Sequence, residues 1–107
     1  MVRVVFIQPD CERAEVQVEP GTTGMEAARF HGVEGIIGEC GGSAACATCH
    51  VYVDERSLSK LAPVGAQEDQ MLAFTTSQRR FNSRLSCQIP IVQELDGIIF
   101  RVPDSQI

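Results

Sequence analysis

The chain has 107 residues, 44% of them hydrophobic and 21% charged, with a formal net charge of −5 from 9 basic and 14 acidic side chains. That length reads as one domain over residues 1–107, able to bury about two-thirds of its unfolded surface. The charge argues against nucleic acid and anionic lipid as partners and favours a basic protein surface, and no run of roughly 18 apolar residues is present to span a membrane.

Met1-Val-Arg-Val-Val enters a strand pattern directly, without signal or transit-peptide character. Residues 2–7 are rich in β-formers. Gln8-Pro-Asp-Cys-Glu-Arg13 reads as a connection, with Pro9-Asp10 as its turn signal. Over 14–19, Ala14, Val16 and Val18 alternate with Glu15, Gln17 and Glu19, the pattern of a half-buried strand. The two strands make a hairpin. Cys11 sits in its connection and reads as a free surface thiol.

Pro20-Gly21 ends the second strand. Thr23-Gly-Met-Glu26 fits a capping box, with Thr23 as N-cap and Glu26 three residues on. The helix it opens runs to about His31, where Gly32 is the natural stop. Met25, Ala28 and Phe30 are its expected core face. His31 suits the negative end of the helix dipole and reads as no ligand.

Residues 33–38 lead into Cys40-Gly-Gly-Ser-Ala-Ala-Cys-Ala-Thr-Cys49, a C-x5-C-x2-C loop in which every intervening residue is small. A further cysteine, Cys87, follows in Arg84-Leu-Ser-Cys-Gln-Ile89. Three thiols from one loop and one from a distant segment can supply four soft ligands. Gly41, Gly42, Ser43, Ala44, Ala45, Ala47 and Thr48 let the backbone wrap closely and turn N–H groups inward, as a cluster held by thiolates requires.

Four readings fit these cysteines. A [2Fe–2S] site matches the plant-type spacing with one extra residue in the first gap. A zinc site would use a second cysteine knuckle, which Cys87 lacks. Cys46-Ala-Thr-Cys-His50 fits the c-type haem motif but leaves Cys40 and Cys87 unexplained. Buried, unligated cysteines are the fourth. The five cysteines, an odd count, argue against a fully paired disulfide framework and for a cytoplasmic protein.

After the loop, His50-Val-Tyr-Val53 is a short strand. His50 lies too close to Cys49 to share its compact cluster, and is expected to hydrogen-bond backbone and tie the loop to a neighbouring segment. A helical turn is expected within 54–62, broken by Pro63-Val-Gly65. Gln67–Phe74 reads as a second helix, with Met71, Leu72 and Phe74 inward and Glu68 and Asp69 in the first turn, where acids suit the dipole. By the period of two, Leu85, Cys87 and Ile89 share one inward face of a strand over 84–89. Ile98–Val102 is a final strand, stopped by Pro103. No Ser/His/Asp constellation or phosphate-binding glycine motif appears. The pattern gives an α+β domain.

The stretch Cys-Gly-Gly-Ser-Ala-x-Cys-Ala-Thr-Cys-His-Val-Tyr-Val, Asn82-Ser-Arg-Leu85, Glu94-Leu-Asp-Gly-Ile98 and Val102-Pro-Asp104 resemble the [2Fe–2S] ferredoxins of the adrenodoxin/putidaredoxin class over nearly the whole chain. The resemblance implies a β-grasp fold, a small mixed sheet with a helix packed across it. It implies a [2Fe–2S] cluster on Cys40, Cys46, Cys49 and Cys87, with the iron on Cys40 and Cys46 nearer the surface. It implies a monomeric electron carrier, not an enzyme, between an FAD-containing NAD(P)H-dependent ferredoxin reductase and a cytochrome P450 monooxygenase. The alternative is a ferredoxin for iron–sulfur cluster assembly. It carries partner binding to Glu68 and Asp69. Glu39, beside the first ligand, is a further docking candidate from its position alone. The chain ends Asp104-Ser-Gln-Ile107 and contains no Trp, without the terminal aromatic residue of the member of the class it most resembles, so partner contacts there are expected to differ.

Overall fold

In the computed structural model, residues 1–33, 35–36, 49–75 and 77–104 are described. Strand β1 (Val2–Ile7) pairs antiparallel with β2 (Arg13–Val18), Val2 opposite Val18 and Ile7 opposite Arg13. The alternation in the sequence sets the faces: Val16 and Val18 are buried, and Glu15 and Gln17 are exposed. The turn between them is a β-turn, closed by Cys11 N–H to the Gln8 carbonyl at 2.8 Å. Cys11 is exposed and adopts a φ of 71°.

Helix α1 (Gly24–Phe30) starts at the expected capping box, with Thr23 Oγ1 accepting from Glu26 N–H and Glu26 Oε1 accepting from Thr23 N–H. Its end is sealed by Val33 N–H to Ala28 O and Gly32 N–H to Arg29 O, with Gly32 at a φ of 67°. This pair of bonds is the Schellman arrangement, which selects glycine at that position. Met25, Ala27 and Ala28 face the core. Phe30 does not; it is 73% exposed, contrary to expectation. At 100° per residue it lies some 200° around the helix from Ala28, so the two cannot share a face.

Strand β3 (His50–Val53) is followed by a short α2 (Glu55–Leu58), then α3 (Ala66–Leu72) and β4 (Ser83–Leu85). Leu72 is fully buried and Met71 packs at the core's margin. Phe74 lies beyond the helix end and is 74% exposed, so that expectation is also corrected. Strand β5 (Ile98–Arg101) closes the element list.

The sheet order is β2-β1-β5-β3-β4. The two ends of the chain meet at its centre, where β1 and β5 run parallel with Phe6 beside Phe100. All other pairs are antiparallel. Helix α1 packs on β1 and β2 and on the turn after β4. The core between them holds Phe6, Phe100, Ile98, Val4, Leu72 and Leu85, all essentially without exposure. This is the expected α+β arrangement, a five-stranded mixed sheet crossed by a helix. Among the described residues no helix is long and apolar enough to cross a membrane.

Candidate metal centre

Two of the four expected ligand thiols, Cys49 and Cys87, are described, and both are buried. Cys40, Cys46, the small residues Gly41–Ala45, Ala47 and Thr48, and Glu39 lie outside the described residues. The β3–β4 ladder brings the two thiols to the same end of the sheet. Its register pairs His50 with Leu85. One step further, Ser86 donates to the Cys49 carbonyl twice, from its N–H at 3.0 Å and its Oγ at 2.8 Å. Cys87 follows at once.

The segment carrying Cys87 is not the strand expected over 84–89. Pairing stops at Leu85, and Ser86–Gln88 form a single 3-10 turn. Leu85, Cys87 and Ile89 are buried as expected, but so is Ser86, whose hydroxyl is consumed by Cys49. The turn rests on α1. A Cβ built on Gly24 would lie 3.2 Å from Ser86 Cβ and 3.0 Å from the Phe100 ring, so a larger residue would have to push these neighbours back by a few tenths of an ångström. The entry to α1 is also joined to the segment after Cys87, through Gly24 N–H to Ile89 O and Ile91 N–H to Thr22 O. The capping box alone gave no hint of this second role for Gly24.

The donor set suits a thiolate-held cluster. Buried sulfurs are soft ligands, and Gln88 Nε2 lies 3.5 Å from Cys87 Sγ, where an amide donor stabilises a thiolate. The haem motif fits poorly, because its histidine must present a ring nitrogen to iron at an open face. His50 instead is fully buried, its Nε2 2.9 Å from Ser83 Oγ and its ring edge-on to Tyr52 at 4.8 Å. Ser83 Oγ also accepts from Arg80 N–H at 2.8 Å. The expected tie from the ligand loop to a neighbouring segment thus runs to β4, through a hydroxyl. Burial, and then the positive charges of Arg79 and Arg80, push the His50 pKa down to about 4. The ring is neutral near pH 7 and brings no charge beside Cys49.

The acids expected to dock a partner separate. Glu68 is buried: Oε2 accepts from Arg84 Nε at 2.7 Å and from Leu85 N–H at 2.9 Å, and Oε1 from Arg84 Nη2 at 3.1 Å. Its carboxylate locks α3 to the strand leading into Cys87 and cannot be offered to a partner, which corrects the docking expectation at this residue. Asp69 is exposed, and its Oδ1 accepts from Arg79 Nη2 at 2.6 Å. Arg84, which also donates to Ala62 O, was passed over in the sequence. An arginine immediately before Leu85, in a short strand leading to Cys87, was the available signal.

Three comparisons with known proteins agree with this geometry. Residues 7–92 match the family model of the 2Fe-2S iron–sulfur cluster binding domain. Putidaredoxin of Pseudomonas putida is 46% identical over 106 residues, 99% of each chain. Among solved structures, a ferredoxin from Rhodopseudomonas palustris HaA2 superposes with a TM-score of 0.96 at 51% identity, over 98% of this chain and 99% of that one. The structure of a covalent putidaredoxin reductase–putidaredoxin complex contains a chain 47% identical to this one, with a TM-score of 0.93 over 95% of this chain and 98% of that one.

Proposed function

The chain belongs to the 2Fe-2S ferredoxins of putidaredoxin type, and on that premise we propose that it takes single electrons from an FAD-containing, NAD(P)H-dependent ferredoxin reductase and delivers them to a cytochrome P450 monooxygenase in the cytoplasm. It is an electron carrier, and its cofactor is a [2Fe–2S] cluster. When bound, that cluster supplies a one-electron couple whose potential the protein sets through hydrogen bonds and burial.

In this reading the whole chain is one domain, and Cys40, Cys46, Cys49 and Cys87 hold the cluster. Cys11 takes no part. The small residues 41–45, 47 and 48 let the loop close around it. The observation that carries the reading is the seating of Cys49 and Cys87 at one buried end of the β3–β4 ladder, fixed by two bonds from Ser86 to the Cys49 carbonyl. Around it, the Glu68–Arg84 pair fixes the approach to Cys87, and a neutral His50 holds the ligand loop to Ser83. Rigid support of this kind keeps ligand geometry alike in both oxidation states. The relative in the covalent complex gives the reductase half its support, since that putidaredoxin assembles with its reductase.

The test is reconstitution of the iron-loaded protein with putidaredoxin reductase and a panel of bacterial P450s. Reduction of the chain by the reductase and chain-dependent reduction of a P450 are expected. Reduction of the chain with no P450 accepting its electron would remove the P450 half and favour a role in cluster assembly.

A further inference from the structure

The turn that seats Cys87 also brings a polar side chain to its sulfur. Cys87 is buried and the next residue, Gln88, is exposed, yet the Gln88 side chain folds back to place Nε2 3.5 Å from Cys87 Sγ. Other bonds give the turn its shape. Ser86 N–H donates to Cys49 O, Ile89 N–H to Ser86 O and Gly24 N–H to Ile89 O, while Leu85 and Ile89 anchor it in the core on either side. The sulfur is thus positioned by the backbone, and the amide is left to act on its charge. A ligating sulfur is a thiolate. It accepts, and only the nitrogen end of the amide can donate to it. A hydrogen bond to an ionised group is about twice as strong as a neutral one, and beside a buried sulfur water weakens it less.

We propose that the Gln88 amide donates to the Cys87 thiolate in the loaded protein and raises the midpoint potential of the cluster. This rests on the ligand set of the proposed function. Reduction brings one electron and one further negative charge, shared among iron, sulfide and the four thiolates. A donor at a thiolate therefore binds more strongly in the reduced state than in the oxidised one, and the difference favours reduction. Because the added charge is spread over several atoms, one donor moves the equilibrium by a modest factor. Gln88 takes no electron itself. It is a side chain on the rim of the site that holds the carrier's affinity for the electron at a higher level than the sulfurs alone would give.

The test is a redox titration of the iron-loaded protein and its Gln88→Leu, Gln88→Asn and Gln88→Glu variants, with resonance Raman spectra of the oxidised forms. Leucine keeps the bulk and removes the donor, and asparagine is one methylene shorter and falls short of the sulfur. In both, the reduction equilibrium constant is expected to fall about three- to ten-fold, which is about 30–60 mV at about 59 mV per decade for one electron. Glutamate sets an anion in place of the amide and should lower it further. The iron–thiolate stretching bands should shift in Gln88→Leu, with iron content and melting temperature unchanged. A wild-type midpoint and wild-type bands in Gln88→Leu overturn the proposal, even if Gln88→Glu moves the midpoint, because that reports charge alone. So does a shift that comes with a lower melting temperature, which would assign Gln88 to packing. If the wild type itself takes up no [2Fe–2S] cluster, the ligand set of the proposed function falls, and this inference with it.

Discussion

Cys11 is the only described residue other than glycine with a positive φ. A side chain in the left-handed region costs roughly 1–2 kcal/mol, and glycine escapes that cost while adding entropy to the unfolded chain. Cys11→Gly should therefore stabilise the protein by about 0.5–1 kcal/mol, read as a higher melting temperature with iron content unchanged. A loss of iron would instead place Cys11 among the ligands. Ser83 makes the opposite case. One buried hydroxyl serves both His50 Nε2 and Arg80 N–H. Ser83→Ala leaves both without that partner, at an expected cost of about 1–3 kcal/mol. Because His50 adjoins Cys49, bleaching of the visible absorption should also be faster. His50→Ala should act in the same direction, and an equally long-lived spectrum in both variants would deny the histidine its structural role.

At the level of elements, the hairpin and α1 are legible because local rules decide them. Alternation fixes the faces of β2, and Thr23 with Glu26 fixes the helix start. The turn carrying Cys87 was not legible, because buried alternation at Leu85, Cys87 and Ile89 imitates a strand. Its end is set by Ser86 reaching back to Cys49, a contact between residues remote in the chain. Glu68 and Asp69 looked equivalent as first-turn acids. Helical spacing distinguishes them, since Glu68 lies four residues before buried Leu72 on the same face while Asp69 is turned about 100° away. Glu68→Ala should thus be severe. It strands the Arg84 guanidinium and the Leu85 N–H in the interior, and breaking a buried pair costs about 3–5 kcal/mol. Asp69→Ala, which opens only an exposed pair, should cost no more than about 1 kcal/mol. Thermal melts of the two variants compare them directly, and similar losses would contradict the division between an inward and an outward acid.

For the molecule as a whole, strand order was out of reach of local pattern. The parallel pairing of β1 with β5 joins residues near opposite ends of the chain. Net charge, by contrast, is fully present in the sequence and survives folding. The formal −5 becomes about −7 when four thiolates hold an oxidised cluster core of +2. Such a charge would act on a basic partner from a distance. Steering raises the association rate and is screened within about 8 Å at physiological salt. The rate constant for association with the reductase should therefore fall as salt rises. Glu39→Gln is expected to lower it, and Asp69→Asn to lower it less, because Arg79 already shares that carboxylate. Neither should move the midpoint potential appreciably. Stopped-flow reduction across a salt series decides the matter. Association indifferent to salt and to both neutralisations would deny the acidic side chains a part in docking.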